Sequence, residues 1–186
     1  MVPLGSLILP TIVSAVIVFV VSAIIHMMLT YHRSDVRALP GEADVLDTLR
    51  RLNIPPGDYA APHAGSPEAM RKPEFVEKMK RGPIVFFTVV AGDAVSMRAS
   101  LIQWFVYAVV VSFCAGYVAS RAVGPGADYL AVFRFAGTTA FAAYALALPQ
   151  ASIWYHRRWS TTLKSMFDGL VYGMLTGGTF GWLWPR

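Results

Sequence analysis

From Leu4 to Leu29 the chain carries no Asp, Glu, Lys or Arg, and no other feature restricts the possible folds so tightly. At about 1.5 Å per residue a helix of that run exceeds the roughly 30 Å hydrocarbon core of a bilayer. In lipid each backbone N–H and C=O must be satisfied within its own segment, so a Val- and Ile-rich run that would favour a strand in water is expected to be helical. A cleaved leader would open on basic residues and end in a small-residue cleavage site. Here the first charge is Arg33, so the segment reads as a retained anchor. Pro10 is expected to mark a kink or the interface.

Three more runs fit the same reading. Transmembrane helices are expected over 4–29, 99–120, 129–148 and 163–184, the third of them carrying Arg134. With 55% apolar against 15% charged residues the chain is too oily for an ordinary soluble surface. The expected fold class is an all-α membrane protein: a four-transmembrane-helix bundle with a small α+β cytoplasmic insertion between helices 1 and 2. Tyr31 to Arg98 holds ten Lys or Arg, and Gln150 to Lys164 adds three, whereas the opposite side has Arg121 and Arg186. The positive-inside rule then places both termini outside. Trp104, Trp154 and Trp159 fall at the inner interface and Tyr129, Trp182 and Trp184 at the outer one, where aromatic belts lie.

The net charge of +5 does not indicate nucleic acid. Tyr31 to Arg98 is nearly neutral, with nine Asp or Glu, and the surplus flanks apolar runs instead of lining one face. The single cysteine, Cys114, excludes an internal disulfide and reads as a packing residue.

The segment 30–98 contains seven of the twelve prolines, so its elements are expected to be short. Glu42 to Leu52 places Val45, Leu46, Leu49 and Leu52 on one helical face, with acids early and Arg50 and Arg51 late, as the helix dipole favours. Ser66, Pro67 and Glu68 form a cap and first turn, and Pro73 to Arg81 reads as a helix stopped by Gly82 and Pro83. Ile84 to Val90 reads as a strand, with Asp58 to Ala61 its candidate partner. So small a module is expected to rest its apolar faces on the bundle or on another protein.

In the fourth run Gly169, Gly173, Gly177 and Gly181 recur every fourth residue. Such a stripe lets another helix approach closely and gain dispersion contacts. Ala108, Ser112, Gly116 and Ser120 form a related stripe in the second run. The simplest arrangement packs these two stripes together; a homo-oligomer seam and a narrow conduit are the alternatives.

Charged groups inside a membrane are functional candidates, which singles out Arg134 and Asp168. In an antiparallel bundle they lie on the order of 15 Å apart along the membrane normal at 1.5 Å per residue, so they are not expected to pair. Asp168 is expected to pair locally with Lys164, Arg157 or Arg158, and Arg134 to snorkel outward or meet Asp128. His26 and His32 flank Met27 and Met28, and with His156 they offer imidazole and thioether ligands for a soft metal. Six-residue spacing does not align two imidazoles on one helix face, however, so no metal and no cofactor is expected. Trp154, Arg157, Arg158 and Trp159, in the basic connection 149–162, together with Lys164 just beyond it, read as an anchor for lipid headgroups or a docking patch.

Catalytic signatures are absent: no Gly-x-Ser-x-Gly, phosphate-binding loop, Cys-x-x-Cys or His-Glu-x-x-His occurs. Asp168–Gly169 lacks the second acid of a membrane phosphotransferase, and the Ala91–Gly92–Asp93 turn lacks the second aspartate of a membrane protease. His26 to Asp35, Gly82 to Val90, Ser152 to Lys164 and Gly178 to Arg186 together resemble a family of small, uncharacterised bacterial inner-membrane proteins. The resemblance implies four transmembrane helices in a bacterial inner membrane and carries no activity or cofactor. A chain rich in packing signals and poor in reactive ones is expected to be a non-enzymatic accessory, scaffold or assembly subunit. Its partners would be the lipid bilayer and another membrane protein or copies of itself, with no nucleic acid. A homo-oligomeric transporter or channel is the second reading and a lipid-modifying membrane enzyme the third.

Overall fold

The computed structural model describes residues 2–92 and 94–186, so Asp93, weighed above as half of a protease pair, lies outside the described residues. The chain divides into two compact units, one comprising Met1–Arg37 and Met97–Arg186 and the other Ala38–Ser96.

In the first unit a 3-10 turn over Leu4–Leu7 leads into helix α1, Ile8–Met27. Pro10 sits in the first turn of α1, where the N–H groups lack intrahelical partners and a missing donor costs little. The Leu4–Met27 stretch, Met97–Ala122 and Tyr129–Trp154 are long and apolar enough to cross a membrane, which makes this a membrane protein. A fourth helix of similar length, Trp159–Trp182, is less apolar because glycines, threonines, Lys164 and Asp168 dilute it.

Burial follows the pattern of a lipid-embedded bundle. Small residues such as Ala15, Ala108, Ala115 and Ala119 are fully covered, while Ile8, Leu9, Val106 and Phe113 point outward. Without a hydrophobic drive between helices, close approach at small residues is what holds such helices together.

The second unit contains α2 (Glu42–Leu52), β1 (Gly57–Ala61), α3 (Pro67–Met70), α4 (Pro73–Arg81) and β2 (Val85–Val89). Ser66 Oγ accepts from the Ala69 N–H at 3.1 Å to cap α3, and Gly82 ends α4 at a positive φ of 56°. The strands pair antiparallel with Tyr59 opposite Phe87, whose rings stack at 5.5 Å. Among its described residues none is fully buried.

Returning to the first unit, α5 is Met97–Ala122 and α6 is Tyr129–Phe141. A π-helical turn over Ala142–Leu146 follows, then α7 (Pro149–Trp154) and α8 (Trp159–Trp182). The basic connection is thereby shorter than the sequence suggests. Pro149 opens α7 instead of breaking the third span, again at a position where its missing N–H is harmless. The fourth helix starts four residues ahead of Leu163, with Arg158 as N-cap. At the π turn the i→i+5 spacing disturbs the helical ladder, and the Tyr107 hydroxyl donates to the Ala143 carbonyl at 2.9 Å.

Helix pairing corrects the simplest sequence expectation. The glycine stripe of α8 faces α6, not the small-residue stripe of α5. A Cβ added at Gly177 would stand 2.9 Å from the Gly137 Cα, one at Gly173 2.9 Å from the Phe141 Cβ, and one at Gly169 2.9 Å from the Ala145 Cβ. Positions 137 and 141 on α6 and 145 in the π turn thus meet 177, 173 and 169 on α8 in antiparallel steps of four, and Gly181 closes the row on Tyr129. The α5 stripe looks mainly to α1: Ser112 Oγ donates to Ser14 Oγ at 3.1 Å, and one end of the same seam is tied by Trp104 Nε1 donating to Ser22 Oγ at 2.8 Å. Ala108 and Ser120 are fully buried, and Gly116 meets α8 through the Phe180 ring. The physical reason is shape: the α8 glycines seat backbone against backbone, which requires the matching gap at Gly137, whereas α5 offers alanine and serine side chains suited to α1.

Candidate functional site

Helix α1 breaks after Met27, and the chain turns at once through a 3-10 segment, Tyr31–Ser34. That reversal folds His32 back beneath His26, with ring centroids 4.6 Å apart and planes within 9° of parallel. The six-residue spacing that rules out alignment on a continuous helix therefore does not apply, because the helix is not continuous.

Asp168 of α8 reaches this pair. Its carboxylate is 3% exposed; Oδ2 lies 2.8 Å from His32 Nε2, and Oδ1 accepts from the Tyr31 hydroxyl. The expected local pairing of Asp168 with Lys164 is not what forms. The Lys164 ammonium instead donates to Asp35 Oδ1 at 2.8 Å, Ser34 Oγ at 2.9 Å and the Tyr31 carbonyl at 2.5 Å. Asp35 Oδ2 lies 2.6 Å from His32 Nδ1. The cause is that residues four apart on α8 share a face, and that face meets a turn presenting two acceptors and an acid to Lys164 and an imidazole to Asp168.

Electrostatics follow from these contacts. Burial pushes the Tyr31 hydroxyl pKa well up, and its bond to Asp168 together with the charges of Asp168 and Asp35 adds to the rise. Burial would also raise Asp35, but Lys164 and His32 outweigh it and hold that carboxyl below its ordinary range.

His26, His32 and Asp168 each offer one ligand atom, all within 4.8 Å of one another. Met27 and Met28 are exposed, and His156 is an exposed residue at a positive φ of 53° in the α7–α8 connection. The soft imidazole–thioether set is therefore not assembled; a carboxylate from α8 takes its place. Trp154, Arg157, Arg158 and Trp159 are exposed, whereas Lys164 turns inward. Arg134 is exposed on α6, and Asp128 caps that helix through the Leu130 N–H instead of pairing with it.

Sequence reasoning singled out His26, His32, Lys164 and Asp168 one by one, and that was the available signal. It could not reveal that α1 and α8 are neighbours. Searched against family models, curated proteins and solved structures, the chain matches none.

Proposed function

We propose that this chain is a non-enzymatic accessory, scaffold or assembly subunit of a membrane complex, held in a bacterial inner membrane by four helices with both termini outside. The observation that carries the reading is the state of Ala38–Ser96. It has ordered helices and a strand pair, yet among its described residues none is fully buried, and Leu52 and Phe86 stand 64% and 43% exposed. A two-stranded sheet is marginal alone, and a module that orders its backbone while covering its apolar side chains only in part gains stability by docking. The occupant consistent with an accessory role is a second membrane protein. Helix α8 has 24 residues, about 36 Å at 1.5 Å each, and its Thr161, Thr162, Asp168, Thr176 and Thr179 are buried instead of turned outward, which supports counting it as a fourth span.

The transporter or channel reading would use the glycine face of α8, and that face is filled by α6. A lipid-modifying enzyme would have to use the Asp168 cluster. Native mass spectrometry of the chain extracted from its own membranes tests the proposal. A defined hetero-complex is the expected result; a lone chain or a closed homo-oligomer would refute it.

A further inference from the structure

We propose that His26, His32 and Asp168 form a binding site for a divalent first-row transition-metal ion at the end of the bundle. This inference stands independently of the accessory reading.

The proton inventory comes first. His26 Nδ1 lies 3.0 Å from the Ser22 carbonyl, an acceptor only, so Nδ1 carries the proton and Nε2 keeps a lone pair. His32 sits between two carboxylates, with Nδ1 2.6 Å from Asp35 and Nε2 2.8 Å from Asp168. A neutral imidazole has one N–H and can satisfy one of them. Asp35 is the better placed to accept it, being fixed in turn by Lys164. His32 Nε2 then turns a lone pair on Asp168 Oδ2, and a ring nitrogen of His26 lies within 4.8 Å of both ligand atoms. Three acceptors need a cation between them. A second proton on His32 would satisfy two of the three; a metal ion satisfies all three.

The outer contacts point the same way. Metal-ligating histidines donate their other N–H to a carboxylate or a backbone carbonyl, which fixes tautomer and ring orientation. His32 does so to Asp35 and His26 to Ser22, while the carboxylate ligand is oriented by the Tyr31 hydroxyl. Two of the three ligands, His32 and Asp168, thus have an orienting partner that metal binding leaves in place. One turn along α8 from Asp168, the Tyr172 hydroxyl is buried with no hydrogen-bond partner, as is that of Tyr144. Orphaned buried hydroxyls next to a charged group are the usual trace of water or an ion.

Two imidazoles and one carboxylate suit Zn²⁺, Fe²⁺ or a similar borderline ion, with coordination positions left open to water. With bonds of about 2.0–2.1 Å the ligand atoms would stand roughly 3–3.4 Å apart. The widest pair must therefore close from within 4.8 Å, and because the His26 and His32 ring planes are within 9° of parallel, the exposed His26 ring must turn out of the stack and give up its Ser22 contact to reach the ion.

The test uses the full-length chain in detergent or nanodiscs, stripped with a chelator and dialysed against Zn²⁺ and, separately, Co²⁺. Bound metal is measured by elemental analysis, and the Co²⁺ d–d absorption reports the donor set. One equivalent per chain is expected. His26→Gln and Asp168→Asn should abolish stoichiometric retention, Asp35→Asn should weaken affinity about 10–100-fold as outer-contact substitutions do, and His156→Gln should leave it unchanged. Because Asp168 is buried, its variant is paired with His26→Gln, whose exposed ring can be lost without unfolding the bundle. Sub-stoichiometric retention by the unmodified chain would overturn the proposal and leave the cluster as a hydrogen-bonded lock between α8 and the turn after α1. Equal retention by the unmodified chain and His26→Gln would overturn it as well.

Discussion

Replacing Gly177 with Ala tests whether the α6–α8 seam is limited by backbone contact. The added Cβ would lie 2.9 Å from both the Gly137 Cα and the Phe133 carbonyl oxygen. Both are backbone atoms and cannot rotate away. Ordinary carbon contacts sit at about 3.5–4.0 Å, so the helices must part locally by about 0.6–1 Å, forfeiting roughly a quarter to a half of the dispersion well at each lining atom. Overpacking of this kind costs about 1–3 kcal/mol. The better helix propensity of Ala returns up to about 1 kcal/mol. The net loss is about 1–2 kcal/mol, or roughly 2–8 °C in midpoint for a chain of this size. Gly178, the next residue on the same helix, is the internal control: its Cβ would meet only the Tyr129 hydroxyl, at 3.4 Å. Thermal unfolding in detergent followed by tryptophan fluorescence should show Gly177→Ala melting lower and Gly178→Ala unchanged or slightly higher. Equal midpoints for the two variants would refute the reasoning.

Three further outcomes follow from the same structure. Gly116→Ala should cost less than Gly177→Ala, because its Cβ meets the far end of the Phe180 ring at 2.5 Å, and the loss should shrink in a Gly116→Ala/Phe180→Leu double variant, read by the same melts. Ser112→Ala leaves the buried Ser14 hydroxyl without its partner and should lower stability by about 0.6–1.7 kcal/mol, the range for interhelical bonds in bilayers; Ser112→Ala/Ser14→Ala should recover part of it. Lys164→Met and Asp35→Asn, alone and together, form a double-mutant cycle across a largely covered pair at 2.8 Å; a coupling of about 1–3 kcal/mol is expected, and a value near zero would mean the pair is solvent-screened.

Much of the local structure was legible before any coordinates. Ser66–Pro67 and Pro73 mark helix starts because proline's missing N–H is harmless there, and Ile84 to Val90 could be read as a strand because β-branched and aromatic residues crowd between breakers. The candidate site was less legible. His26 and His32 looked misaligned because spacing arguments assume an unbroken helix, and Asp168 looked locally paired because Lys164 is four residues away. Neither inference accounts for a turn that doubles back under the helix it has just left. The partner of the glycine stripe was misread for a related reason: Gly137 and Ala145 alternate with Phe133 and Phe141, so the complementary face of α6 and the π turn after it carries no uniform run of small residues.

What the sequence by itself determined is everything that depends on neighbours along the chain: the apolar helices, the caps and the short elements between Ala38 and Ser96. These follow from backbone satisfaction in lipid and from local sterics, which act over one or two turns. Only the tertiary structure decided that α6 and not α5 fills the glycine face, and that Lys164 serves Asp35 while Asp168 gathers Tyr31, His32 and, across a stacked ring, His26. Such pairings depend on which helices are adjacent and in what register, and close packing chooses among arrangements that one-dimensional periodicity leaves equivalent.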